Sequence, residues 1–495
     1  MWGPTPRWPV DPDISILESL SRTHLRIPPE CHINIAFLAE GAFNKLYTIA
    51  TSNCGDIESQ LPYVFRVTLP VEPSYKTASE VATLSYIREH TSVPVPRIIA
   101  HSPTADNELG FEWILMEKIP GVSLKTVWRE MDMEAKERVT RVVAQFAKQL
   151  HDRCSFDVIG NLYFREALLD RTVRTIPMTD DKFVIGPIVT AFMFAGGRKL
   201  RLPRNLGPYS DDAEYTTALT DAEAEDMKFL QSPEARTYDD FDEDVANDTP
   251  EIEEALRELQ GVLPRLFPSH SRTFALTHHD LSLSNTLVDP TTHNITGIVD
   301  WECTGTRPRW EYRYPVFLEG REIEEKPEPP SGADPDQEEF MTERWEDWEK
   351  TVLRRSWDEE LGNMDHEDAS ADKVRLEWRR QLDWLEIFSV KVRNWVWDYK
   401  ESLDTDSEGE QRCSHQDLDV GLPDLTVALD EESLDSDYEG EQRRSHSGLE
   451  VGLADLTVAL DERSDKGSQS AIQDKSDEDR ELPPPEVSAT GAMVG

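Results

Sequence analysis

The sequence predicts an α+β fold with two lobes, a small one built on an antiparallel β-sheet and a larger one that is mostly helical. Short strand-forming segments alternate with turns over residues 31–117, and one helical segment interrupts them. Beyond residue 121 most apolar residues recur at helical spacing. A chain of 495 residues is also longer than one compact core usually supports, which favours at least two lobes.

The small lobe is predicted over residues 31–120, after a lead-in of residues 1–30 that contains a short amphipathic helix. Segments rich in Val, Ile, Tyr and Phe are typical of strands. Five strands are predicted, at residues 33–38, 46–50, 63–68, 97–100 and 113–117. One helix, over residues 78–89, follows the third strand. The turn-forming sequence KIPG at residues 118–121 predicts a hinge at the end of this lobe.

The larger lobe is predicted over residues 121–320. Its helices are expected at residues 134–151, 216–230 and 251–266, with a loop at 238–248. Residues 321–338 are rich in proline and acidic residues, so they are interpreted as a linker. Two further helices, at residues 339–357 and 373–399, are expected to pack on the larger lobe as a 339–400 segment.

Residues 401–495 form an acidic tail with 26 acidic and 7 basic side chains and few aromatic residues. It contains a tandem repeat, residues 401–431 and 432–462, in which 24 of 31 positions are identical. Two copies are too few for a stable solenoid. This composition predicts a mostly disordered tail, and the repeats are a hypothetical binding site for a protein partner.

The overall charge excludes some classes of partner. With 52 basic and 97 acidic residues the net charge is −45, which argues against nucleic acid or an anionic membrane as the main partner.

No signal-peptide pattern and no apolar run of about 20 residues is found. The five cysteines are odd in number and scattered, which predicts no disulfide framework. A soluble, cytoplasmic protein is therefore expected.

The most informative stretch is residues 276–301, LTHHDLSLSNTLVDPTTHNITGIVDW. A turn joins two short apolar segments, which predicts a hairpin that brings Asp280, Asn285 and Asp300 to one edge. Phosphoryl transfer from a nucleotide needs one carboxylate to orient a hydroxyl, and an amide and a second carboxylate to hold magnesium. His278 would brace the loop by hydrogen bonding. The spacing therefore favours a phosphotransfer site.

The motifs HHDLSLSN and GIVDWE closely resemble the family of aminoglycoside phosphotransferases and choline kinases, a branch of the protein-kinase-like fold. The small-lobe segments LAEGAFNKLYTI, YVFRV, SEVATLSYI and WILMEKIPG agree with it, and FVIGPIVTAFMF is similar to fungal members. The resemblance covers residues 33–320. It implies a bilobal protein-kinase-like fold that uses ATP and Mg²⁺ to phosphorylate a hydroxyl of a small molecule. The acidic residues of the larger lobe are compatible with a cationic acceptor.

The resemblance also implies roles for individual residues. Asp280 would be the catalytic aspartate, His278 would structure its loop, and Asn285 and Asp300 would be the magnesium ligands. Nucleotide contacts are implied at Gly41 and Asn44 in the phosphate loop, and at Glu117, Lys118 and Ile119 in the hinge that meets adenine. His279 stands where members of the family often have glycine.

The clearest departure from the family pattern is Arg66. The fold normally has a lysine on the third strand that holds the α- and β-phosphates and pairs with a glutamate of the next helix. Here YVFRV provides Arg66, with Glu80 as its expected partner. Glu80 also fits a capping box at the helix start, residues 77–80. Lys76 is predicted to precede the helix, so it is not chosen for this role.

A second class of function is a pseudoenzyme, in which an inactive kinase-fold module acts as an interaction protein through the acidic tail. Arg66, His279 and the single glycine of the phosphate loop favour it. The presence of Asp280, Asn285 and Asp300 favours an enzyme. A protein kinase is a weaker third option, because Trp301 and Glu302 follow Asp300 where protein kinases have Phe and Gly.

Overall fold

The computed structural model describes residues 6–52, 62–168, 173–190, 206–238, 241, 243–266, 274–278, 280–309, 314–328 and 335–362. Within them, the predicted α+β fold with two lobes is confirmed. His279, the helix predicted at residues 373–399 and the predicted tail lie outside the described residues.

The small lobe is a five-stranded antiparallel sheet with the order β1-β2-β3-β5-β4. Its strands are β1 His32–Glu40, β2 Asn44–Ser52, β3 Tyr63–Thr68, β4 Ile98–Ser102 and β5 Glu112–Glu117. Helix α1, Ile14–Leu25, precedes the sheet, and helix α2, Lys76–His90, lies between β3 and β4 in the chain. All five predicted strands and both helices are present, with ends shifted by a few residues.

Strand β3 lies in the middle of the sheet and is buried on both faces. Phe65 and Val67 belong to a core that includes Leu17 of α1. Val64, on the opposite face, packs with Val81 of α2. Because side chains alternate along a strand, Arg66 shares the face of Val64 and is directed toward α2.

The larger lobe contains helices and short strands. Its helices are α3 Leu124–Trp128, α4 Met133–Arg153, α5 Asp212–Leu230, α6 Glu243–Leu266 and α7 Pro335–Leu361. Its strands are β6 Val122–Ser123, β7 Ser155–Phe156, β8 Asn161–Phe164, β9 Ile176–Pro177, β10 Phe183–Gly186, β11 Phe274–Thr277, β12 Thr286–Val288, β13 Ile295–Ile298 and β14 Gly305–Pro308. They form three-stranded sheets with the orders β8-β10-β9, β14-β11-β7 and β13-β12-β6.

One sequence expectation for this lobe was wrong, and most of its short strands were not anticipated. All nine strands named for this lobe have two to four residues, which is too short to give a detectable alternation of apolar side chains, so only the β12–β13 hairpin was anticipated. The loop predicted at residues 238–248 is partly helical, because α6 already begins at Glu243. Its acidic, apolar-poor first turn carries no amphipathic signal.

Helix α7 packs along α4. Leu353 and Trp357 are buried in the same core as Val139 and Val143 of α4. Beside this core, the Lys136 ammonium lies 2.6 Å from the Glu349 carboxylate. The helix begins at Pro335, which lies within the segment predicted as a linker.

Two further observations concern the helices and the cysteines. None of the helices in the described part of the chain combines the length and apolarity that crossing a bilayer requires. Cys31 takes part in a disulfide, so the prediction from cysteine spacing does not hold at this position.

Candidate active site

The β12–β13 hairpin brings two predicted site residues together. The strands pair antiparallel, with Thr286 opposite Ile298. The N–H of Val299 donates to the backbone carbonyl of Asn285 at 2.9 Å, which extends the pairing by one step. Asn285 therefore lies beside the residue that precedes Asp300, as the hairpin prediction required.

The loop before the hairpin holds Asp280 through two side chains. The amide nitrogen of Asn285 donates to the main-chain oxygen of Asp280 at 2.9 Å and to its Oδ2 at 2.8 Å. The Asp280 N–H donates to Nδ1 of His278 at 3.1 Å, while Nε2 of His278 lies 3.1 Å from the Val299 carbonyl. Because Nδ1 accepts, Nε2 carries the proton and donates. His278 thus ties the Asp280 loop to the end of the hairpin.

Asp300 sits on a strained turn immediately after β13. Its φ of 63° lies in the left-handed region, which aspartate tolerates better than most residues. Such conformations cluster at functional sites, where the surrounding structure holds them in place. Partial burial raises the pKa of the Asp300 carboxyl, and the nearby Glu302 carboxylate raises it further, against the opposing effect of Arg66. A cation bound to Asp300 would reverse this shift.

Arg66 links α2 to Asp300. Its Nη2 forms a buried ion pair with Glu80, and its Nη1 lies 3.8 Å from Oδ1 of Asp300. The side chains of Arg66 and Glu80 are 4% and 2% exposed, so the pair is removed from water. The expected ion pair is therefore present.

The alternative capping box at the start of α2 is wrong. The helix is preceded by Tyr75, whose side chain makes no capping hydrogen bond. Thr77, the first residue of the proposed box, donates instead to Oε2 of Glu112 at 2.6 Å. Glu80 cannot fold back on the helix start while it is paired with Arg66.

Sequence reasoning missed a second buried ion pair, between Lys76 and Glu302. Lys76 does not precede α2 but is its first residue, and its side chain is 1% exposed. Asn44, the predicted phosphate-loop residue, donates to the same Glu302 oxygen at 2.8 Å. A lysine at a helix N-terminus opposes the helix dipole, and this unfavourable placement was the available signal that it has a specific anionic partner.

The phosphate loop is a tight connection between β1 and β2. The Gly41 N–H donates to the carbonyl of Asn44 at 2.9 Å. A methyl group added at Gly41 would meet no atom within 4 Å, so open space lies beside this part of the loop. This geometry leaves room for a ligand against the glycine.

The predicted hinge packs directly on the hairpin. The N–H groups of Glu117 and Lys118 donate to Arg97 and Pro62 carbonyls at 3.0 and 3.1 Å. Across the described residues no acceptor is found for the Ile119 N–H. The Ile119 side chain contacts Gly297 of β13 so closely that a side chain there would collide with it.

The predicted magnesium ligands have suitable chemistry. Magnesium prefers oxygen ligands and usually keeps water and substrate phosphates, with only one or two protein carboxylates. Asn285 directs its side-chain nitrogen at two oxygens of Asp280, which leaves its side-chain oxygen, Oδ1, available as a metal ligand. Among the described residues no three His, Cys, Asp or Glu side chains form a metal site of their own. Asn285 and Asp300 therefore fit a metal that is held jointly with a nucleotide.

Comparison with known proteins gives the family. The profile of the phosphotransferase enzyme family matches residues 34–311. Two subtelomeric hrmA-associated cluster proteins of Aspergillus fumigatus are each 29% identical over 314 residues, which cover 57% of this chain and 60% of theirs. The chain therefore spans less than two thirds of the length of these relatives.

More distant relatives and solved structures are also similar. The mitochondrial protein called altered inheritance of mitochondria protein 9, from Meyerozyma guilliermondii, is 25% identical over 368 residues, which cover 68% of this chain and 58% of that protein. The crystal structure of aminoglycoside-3'-phosphotransferase of type VIII aligns with 74% of this chain and 98% of its own, at 18% identity and a TM-score of 0.38. Because the family profile matches more than half of the sequence, the chain belongs to the phosphotransferase enzyme family.

Proposed function

We propose that the protein transfers the γ-phosphoryl group of ATP to a hydroxyl of a small-molecule acceptor. Membership of the phosphotransferase enzyme family supports the reaction class. The observation that carries the proposal is the hydrogen-bonded arrangement of Asp280, Asn285 and the residue before Asp300. It provides a fixed carboxylate next to a pair of oxygen ligands, which phosphoryl transfer requires.

In this proposal Asp280 accepts a hydrogen bond from the acceptor hydroxyl and orients it toward the phosphorus. Asn285 holds the aspartate in place through its amide nitrogen, and His278 holds the loop. Asn285 and Asp300 would bind Mg²⁺, which neutralises charge on the transferred phosphoryl group. Positioning and electrostatic stabilisation supply nearly all of the catalysis in reactions of this type.

The nucleotide would lie between the sheet and the hairpin. Arg66, braced by Glu80, would hold phosphate oxygens, because a guanidinium can donate two parallel hydrogen bonds to them. Gly41 and Asn44 would line the loop over the phosphates. At the hinge, formed by Glu117, Lys118 and Ile119, the N–H of Ile119 would donate to adenine.

The acceptor is proposed to be a small molecule, and the acidic larger lobe is compatible with a cationic one. We propose a cytoplasmic location, and a protein partner for the repeats at residues 401–462. Nucleic acid and membranes are not proposed as partners, because the chain carries a net charge of −45.

The second candidate is a nucleotide-binding module without catalytic turnover. The observation in its favour is Arg66 itself, which replaces the lysine of the usual phosphate clamp. An arginine keeps the charge but differs in reach and geometry. This candidate keeps the same site and predicts nucleotide binding without transfer.

One experiment separates the two. Binding of ATP to the full chain would be measured with and without magnesium, followed by ATP turnover on a panel of metabolites with hydroxyl and amine groups. Asp280→Asn should lower turnover by about 100-fold or more and retain nucleotide binding, because it removes the oriented base but not the phosphate contacts. Binding that ignores magnesium, with no turnover above that variant, would refute the proposed transfer.

A further inference from the structure

The structure contains two buried cations beside Asp300, where the sequence suggested one. Lys76 lies at the start of α2 and Arg66 on β3, and both interact electrostatically with Asp300 and with each other. The aromatic ring of Phe43, in the phosphate loop, is centred 5.9 Å from the Lys76 ammonium. The Lys76 ammonium therefore lies between the phosphate loop and the segment that holds Asp300 and Glu302.

Neither cation has its hydrogen-bonding capacity filled by the described residues. A lysine ammonium has three donors, and the acceptor found for Lys76 in this part of the chain is one oxygen of Glu302. The Nε of Arg66 is buried without a partner, and its Nη1 is 3.8 Å from Asp300, beyond hydrogen-bonding distance. Buried donors without acceptors are costly, so both side chains lack acceptors that an anionic ligand would provide.

Glu302 has a second hydrogen-bond donor besides Lys76, so a ligand that binds Lys76 would not leave the Glu302 carboxylate without a partner. Its Oε2 accepts from Asn44 at 2.8 Å as well as from Lys76. Asn44 is fixed in turn, because its Oδ1 accepts from Thr68 at 2.9 Å. Lys76 can therefore keep its ion pair and direct its remaining donors to another acceptor.

We infer that Lys76 is a phosphate-binding residue, and that the positive charge usually carried by one lysine on the third strand is divided here between Arg66 and Lys76. This inference rests on the proposed function, since it assigns the ligand as the phosphates of the nucleotide. Arg66 pairs with Glu80 through Nη2 and approaches Asp300 with Nη1. Lys76 provides the compact point charge that arginine cannot.

The test removes both charges of the pair together, so that no unpaired charge is left buried. Calorimetric affinities of the full chain for Mg-ATP and for adenosine would be compared in the wild type and in Lys76→Met/Glu302→Gln. The matched control is Lys136→Met/Glu349→Gln in the larger lobe. That pair is similarly enclosed, with side chains 6% and 15% exposed against 1% and 16% for Lys76 and Glu302.

We expect the Lys76 double variant to bind Mg-ATP about ten-fold more weakly or worse, with adenosine affinity changed by less than about two-fold. The control should bind both as the wild type does. Glu302→Gln alone keeps the ammonium and should bind Mg-ATP more tightly than the double variant does.

Two results would overturn the inference: unchanged Mg-ATP affinity in a folded double variant, or an equal loss in Glu302→Gln and in the double variant. If the wild type itself binds no nucleotide, the proposed function fails rather than the assignment of Lys76 within it.

Discussion

Arg66 approaches two carboxylates with two different nitrogens. Its guanidinium directs one nitrogen to Glu80 and a second toward Asp300. A lysine would have to serve both carboxylates from a single nitrogen, whereas the planar guanidinium presents a separate nitrogen to each. The arginine is therefore consistent with an intact site, and its presence alone does not indicate an inactive protein.

Substitution of Arg66 tests its role as a phosphate clamp. Arg66→Ala should weaken Mg-ATP binding by about ten-fold or more, because it removes charge-assisted hydrogen bonds. Arg66→Lys should retain part of the affinity through its charge. Calorimetry measures both, with thermal unfolding to verify that each variant is folded. If neither substitution changes nucleotide affinity, the role assigned to Arg66 is wrong.

Individual residues also show how much of the candidate site could be predicted from the sequence. The roles proposed for Asp280, Asn285 and Asp300 depend on local spacing in and just before one hairpin, so the motif was sufficient to predict that these residues lie close together. The Lys76–Glu302 pair joins residues 226 positions apart, and local spacing contains no information about such a contact. Lys76 was missed for the further reason that the helix starts two residues earlier than its apolar periodicity indicated.

The predicted hinge packs closely against the β12–β13 hairpin. Gly121 has a φ of 113° and lies against the backbone of Val288, while Gly297 lies under the Ile119 side chain. These contacts explain why glycine occurs at both positions. They also couple the position of the segment proposed to bind adenine to that of Asn285 and Asp300.

Gly297→Ala should destabilise the protein because its new methyl group would collide with Ile119. Overpacking of this kind costs about 1–3 kcal/mol of unfolding free energy. Adding Ile119→Ala should recover part of the loss, since it removes the colliding atoms. Gly41→Ala is the matched control, because a methyl group there meets nothing within 4 Å. Denaturant unfolding would be measured for the wild type, these three variants and Ile119→Ala alone, and additive losses in the double variant would contradict the proposed collision.

Helix α7 is predicted to contribute to stability through one buried face. Trp357 is 1% exposed and packs in the core shared with α4, whereas Phe340 on the same helix is 54% exposed. Trp357→Ala should lower the unfolding free energy by about 3–5 kcal/mol. Phe340→Ala should change it by less than about 0.5 kcal/mol. Similar losses in both variants would indicate that α7 does not pack on α4 as described.

At the scale of the whole molecule, charge is divided unevenly along the chain. Residues 401–495 carry 26 acidic and 7 basic side chains, a net of −19 within the total of −45. ATP is itself an anion, so this charge opposes nucleotide binding wherever it acts at long range. Screening limits that range to about 8 Å at physiological ionic strength. Cations at the candidate site, Arg66 and Lys76, then have more influence on ATP than any charge that lies beyond this range.

Deletion of residues 401–495 should therefore separate the two parts of the proposal. All candidate site residues precede residue 303, so Mg-ATP affinity and turnover at about 0.15 M salt should stay within about two-fold of those of the full chain. Binding of a protein partner through the repeats should be lost, as measured by recovery of interactors with each form. If the deletion leaves the interactions, the localisation and the degradation rate of the protein unchanged, the role assigned to the repeats is wrong. A large loss of nucleotide affinity would instead mean that the acidic segment contributes to the site itself.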